Sequence, residues 1–137
     1  MGTWGTGVFD NDTAADFASS LDAALLPERE ALIRGVLERT ARATGYLYEA
    51  EEAVAAAALV AAQCPGGVPV DVDGPEQPMP AFPEDLRTLA AAALARVTAD
   101  GSGLVETWVD PDEAREWLSV ITRLREVLDP PQAALAR

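Results

Sequence analysis

The sequence predicts an all-α, single-domain bundle of about five helices with one long Pro/Gly-rich loop. Three observations point there. Apolar residues recur at i, i+3, i+4 and i+7 in separate segments, the spacing of one helix face. Proline followed by acids opens three of those segments, at Pro27-Glu28, Pro83-Glu84-Asp85 and Pro111-Asp112-Glu113. Period-two alternation is confined to Val68, Val70 and Val72, where Pro69 restricts any pairing to a sheet edge. At 137 residues there is room for one sizeable core and not for two.

Residues 1–10 form a glycine-jointed arm, with Gly2, Gly5 and Gly7 opposing helix. The first helix starts near Asn11 or Asp12, either a suitable cap, and lines up Ala14, Phe17, Ala18, Leu21, Ala24 and Leu25. Pro27 opens the second, whose buried stripe is Leu32, Ile33, Val36, Leu37 and Ala41. Glu30, Arg34, Glu38 and Arg42, spaced by four, make an exposed ladder of alternating charge, and Gly45 is placed to end the helix.

The third helix runs from about Tyr48 to Gln63. After Glu49, Glu51 and Glu52 it is apolar on every side, which places it in the middle of the bundle. Residues 64–82 are too rich in proline and glycine for helix and too long for an ordinary turn. Helix four begins at Pro83 and buries Leu86, Leu89, Ala90, Ala93, Leu94 and Val97. Asp100-Gly101-Ser102-Gly103 breaks the chain, and Leu104–Val109 is a helical turn or a brief strand. Asp110 caps helix five, which carries Ala114, Trp117, Leu118, Ile121, Leu124 and Leu128 on one face. Asp129-Pro130-Pro131 stops it, leaving residues 131–137 as a tail free to fray.

Composition excludes whole classes of chemistry. Twenty-three acids stand against ten basic residues, all arginine, for a net charge of −13. Without His there is no Ser-His-Asp or Cys-His nucleophile and no imidazole metal ligand. Without Lys there is no Schiff base and no standard P-loop. The charge opposes a nucleic-acid partner, which needs a positive footprint. Cys64 is the single cysteine, so no internal disulfide forms, and no basic neighbour activates it; a buried, inert thiol is expected. The first residues lack a secretory signal, and the longest run without a polar residue, 53–62, is about half a membrane span. Residues 1–6 match the short myristoylation pattern. Abundant alanine and arginine without lysine read as a GC-rich bacterial source, where that modification is not expected. A cytoplasmic location and no membrane partner follow as expectations.

The carboxylate pairs do not assemble into a recognisable catalytic or metal motif. A calcium loop starting at Asp10 fails, with Ala15 at its glycine position and Leu21 at its distal Glu position. Asp71-Val72-Asp73-Gly74 reads as a turn, and Asp110 and Asp112 as caps. Glu49 and Glu52 share a face as a di-metal bundle requires, but such bundles also use His. Neither a metal nor a cofactor is expected.

The sharpest local feature is the run Gly2–Phe17, with Trp4 and Phe9 ahead of Asp10, Asn11 and Asp12. It can be read in two ways. Both aromatics fill the core while the acids cap the helix, or an exposed aromatic flanked by carboxylates grips an Arg or Lys of a partner. This run resembles the opening of a bacterial family catalogued as domain of unknown function 4259. The resemblance continues through the alanine-rich third helix and the later Leu104, Trp108, Trp117, Leu124 and Leu128. It implies a small helical bacterial protein and brings no catalytic residues with it.

Two functions follow as expectations. The first is a non-catalytic protein-interaction module for a basic protein partner, of the immunity or antitoxin kind, with Trp4, Phe9, Asp10, Asn11 and Asp12 as binding residues. The second is a carboxylate-based hydrolase or metal-binding protein built on the N-terminal Asp cluster. The sequence leaves the oligomeric state open.

Overall fold

A computed structural model describes residues 12–43, 50–64, 79–98 and 111–128. They form five helices, α1 (Asp12–Ala23), α2 (Leu26–Arg42), α3 (Ala50–Ala61), α4 (Asp85–Val97) and α5 (Pro111–Leu128), with no strand among the described residues. The all-α bundle read from the sequence is therefore the architecture observed.

α3 is the hub. It packs against α1, α2, α4 and α5, while α4 also packs against α2 and α5. Every residue from Ala53 to Ala61 is buried, so beyond its half-buried first-turn acids, Glu51 and Glu52, no side of the helix meets water. Methyl side chains make this possible, because they let four neighbours approach the same axis closely. The bulk comes from around it: Phe17 and Leu21, Ile33 and Leu37, Leu86 and Leu94, Trp117 and Ile121. One continuous apolar cluster results, drawing on all five helices. Cys64 is buried at its edge, as expected, and its thiol donates to the Val60 carbonyl at 3.5 Å.

Several boundaries and faces differ from expectation. Leu25 is 68% exposed, not part of the α1 stripe. α1 stops at Ala23, and Leu25 takes an extended backbone (φ −72°, ψ 154°) as the cap of α2, so the α1 period no longer governs it. Ala24, in the bend between the two helices, is partly exposed for the same reason. Leu32 is 39% exposed. Successive residues turn by about 100° around a helix axis, and the buried sector of α2 is centred on Arg29, Ile33, Val36, Leu37 and Thr40. Leu32 falls beyond its edge. α2 also ends earlier than Gly45, at Arg42, because the chain turns extended at Ala43; Gly45 lies outside the described residues.

α4 starts at Asp85 rather than Pro83, with the Pro83 carbonyl accepting from the Leu86 N–H at 3.1 Å in the turn that leads in. Leu89, Leu118 and Leu124 are half-buried at the rim of the core rather than within it. Residues 79–83 are irregular, as the loop reading requires. The short extended piece at Val68–Val72, the break at Asp100–Gly103, the segment Leu104–Val109, the cap at Asp110 and the tail 131–137 lie outside the described residues.

The helix ends are tied by side chains from elsewhere. Gln63 closes the return of the long connection, donating from Nε2 to the Pro80 carbonyl and accepting from the Phe82 N–H, each at 2.9 Å. Arg34 joins α2 to α4 through Asp85 at 2.8 Å, and pairs within α2 with Glu30 at 3.0 Å. Half of the expected charge ladder is thus formed, and it serves as an inter-helix strut.

Candidate functional site

Trp4, Phe9, Asp10 and Asn11 lie outside the described residues. Asp12 is the first residue of α1. Glu49, Asp71, Asp73 and Asp110 also lie outside. Asp112 is exposed in the first turn of α5 and forms an ion pair with Arg115, one turn on. Glu52 is half-buried at the start of α3. Among the described residues, no three or more Cys, Asp or Glu side chains gather as metal ligands would.

A concavity on the described surface is an open groove of about 480 Å³ between α4 and α5. Ala91, Ala92 and Ala95 form its floor, with Thr88 and Thr122 beside them and Arg125 and Glu126 at the rim. Small side chains on α4 create the trough, since α5 brings Thr122, Arg125 and Glu126 to it and no large apolar residue. Chemically it offers two hydroxyls and one charge of each sign at an exposed edge. It holds no thiol, and the Thr122 hydroxyl donates to the Leu118 carbonyl of its own helix at 2.8 Å.

The ionisable groups with a resolved role are structural. Arg34 beside Asp85 holds that carboxyl below the usual carboxylate range, and the Arg34 guanidinium is itself raised above its ordinary value by Asp85 and then Glu30. Arg29 is buried at 8% exposure and donates to the carbonyls of Leu21 and Ala24. Arg96 donates from Nε to the Ala43 carbonyl at 2.7 Å. α1 and α2 thus receive at their negative ends a cation from another helix, where dipole and orphan carbonyls favour one. Sequence reading missed these roles. The available signal was phase: Arg29 shares the α2 face of Ile33, Val36 and Thr40, at i, i+4, i+7 and i+11.

Three of the ten arginines are turned to carbonyls or to the carboxylates of Glu30 and Asp85, while Arg39, Arg42, Arg115, Arg123 and Arg125 stand exposed. Asp16, Glu28, Glu84, Glu116 and Glu126 stand exposed. No described helix is long and apolar enough to cross a membrane.

A family model described as "Domain of unknown function (DUF4259)" matches residues 2–120. No curated protein and no solved structure matches the chain.

Proposed function

The chain belongs to the DUF4259 family, and from its charge and its side-chain inventory we propose that it works as a non-catalytic protein-interaction module that binds a basic protein partner. The observation that carries this reading is the distribution of charge. A net −13 is set on a small bundle whose arginines are partly drawn into its own helix ends. Such a surface speeds encounter with a cationic partner and repels anionic ones. Neutralising a basic toxin, as immunity proteins and antitoxins do, is the instance this chemistry suits. In this reading Trp4 and Phe9 supply the apolar anchor, and Asp10, Asn11 and Asp12 receive the partner's Arg or Lys. The cytoplasm is the compartment it fits.

The test is capture, on the immobilised chain, of basic proteins encoded beside its gene, at low and at high salt. The expected result is a defined partner bound at low salt and released at high salt. Trp4→Ala weakens that binding and leaves the urea midpoint unchanged. A partner held equally at both salt concentrations overturns the electrostatic reading. Stabilisation by millimolar Ca²⁺, Mg²⁺ or Mn²⁺ would favour a carboxylate metal site instead.

A further inference from the structure

α2 carries a second stripe, on the side away from its buried sector. Leu25, Glu28, Leu32, Gly35, Arg39 and Arg42 follow one another at alternating steps of three and four. Within α2 that is the a/d pattern of a coiled-coil helix, with Leu32 and Arg39 at a and Glu28, Gly35 and Arg42 at d, and Leu25, the extended cap residue, continues the spacing just ahead of it. The stripe faces solvent. Leu25 and Leu32 are two of the three large apolar side chains most exposed among the described residues, and Glu28, Arg39 and Arg42 are exposed beside them. Gly35 lies at its centre, where an added Cβ would meet only the guanidinium of Arg39, at 3.1 Å.

The order of chemistry along the stripe selects its occupant. From the α2 N-terminus it runs apolar, acidic, apolar, small, basic, basic. A second copy laid parallel would set Glu28 against Glu28 and Arg39 against Arg39. A second copy laid antiparallel, about a two-fold axis midway between Leu32 and Gly35, opposes a to d throughout. Leu32 then takes the place above Gly35 of the other copy that the Arg39 guanidinium covers in the single chain, once that guanidinium turns to Glu28 of its partner. Glu28 faces Arg39, and Leu25 lies along the aliphatic stem of Arg42. Each contact occurs twice, as an isologous interface requires. A mid-helix glycine is unfavourable in itself, and here the missing Cβ leaves room over the helix that the flexible Arg39 guanidinium covers within the chain. We propose that the chain self-associates as an antiparallel two-fold dimer through this face of α2. The inference goes beyond the basic-partner reading and does not depend on it.

Sedimentation of the full chain over a concentration series tests this, with far-UV circular dichroism as a check that each variant keeps its helices. The wild type should rise from 14.4 kDa toward twice that mass as concentration increases. Leu32→Glu, Glu28→Arg and Arg39→Glu should each remain at the monomer mass where the wild type is dimeric. The combined variant E28R/R39E should recover the dimer, because the swap restores the pairing in the antiparallel register alone. A wild type that stays monomeric up to about 1 mM, a dimer indifferent to Leu32→Glu, or a double variant no more associated than its parents overturns the proposal.

Discussion

The guanidinium of Arg29, in the first turns of α2, donates its Nε–H to the carbonyl of Leu21 at 3.0 Å and its Nη2–H to that of Ala24 at 2.9 Å. One side chain therefore closes the C-terminal end of α1, which has no basic residue in its own last turn. Because the group is buried, its removal strands carbonyls that water reaches poorly. Arg29→Ala should destabilise the fold by about 2–3 kcal/mol in urea unfolding, the range for charge-assisted bonds. Arg29→Lys should recover less than half of the loss, since an ammonium cannot span two carbonyls as a planar fork does. A full rescue by lysine would show that charge alone, and not the fork, holds the α1–α2 corner.

The Asp85–Arg34 bridge predicts a pH dependence with a definite sign. Arg34 holds the Asp85 carboxyl below its ordinary range by hydrogen bonding first and Coulomb attraction second. A depressed folded-state pKa stabilises the fold above the carboxylate range and loses that contribution as pH falls through it. Arg34, raised further, stays charged throughout and adds no slope. Asp85→Asn should therefore lower the urea midpoint at pH 7, and the gap to wild type should close as pH falls through and below the carboxylate range. The effect should be small and should shrink in salt, because Asp85 is exposed. A gap unchanged at low pH would assign it to helix capping rather than to the ion pair.

These two arginines mark the limit of what helical period and charge spacing encode. Helical periods placed Phe17, Ile33, Leu37, Leu94, Trp117 and Ile121 in the core, and an α3 without a polar side could only be central. Leu25 and Leu32 were misplaced because a period gives no sign of where one helical frame ends and the next begins. The α1–α2 corner shifts that frame at Leu25. Arg29 was hidden by its type, since a charge is read as surface unless its phase is compared with that of Ile33. For the N-terminal arm, the run Gly2–Phe17 was specific enough to indicate the family whose model spans residues 2–120. Which way Trp4 faces is a tertiary property that no local spacing encodes.

Gln63 separates donor from acceptor at the return of the long connection. Its Nε2–H donates a hydrogen bond to the Pro80 carbonyl and its Oε1 accepts one from the Phe82 N–H. Gln63→Ala should cost about 1–2 kcal/mol, two neutral hydrogen bonds near the surface. Gln63→Glu keeps an acceptor for the Phe82 N–H but sets a carboxylate against the Pro80 carbonyl. Amide hydrogen exchange at Phe82 should accelerate in the alanine variant and stay slow in the glutamate variant. Fast exchange in both would mean that the clamp depends on its donor half.

The alanines of α3 are a packing requirement, and a methylene count tests it. Ala56 is fully buried at the hub, whereas Ala92 on α4 is exposed in the α4–α5 groove. Both substitutions to leucine keep a strong helix former, so helix propensity cancels in the comparison. Ala56→Leu forces neighbouring helices apart and should destabilise by about 1–3 kcal/mol. Ala92→Leu places the same atoms in open space and should stay within about 0.5 kcal/mol of wild type. Urea unfolding of the two variants measures the difference. Equal losses would mean that α3 does not set the spacing of its neighbours, and its alanines would then reflect composition rather than close approach.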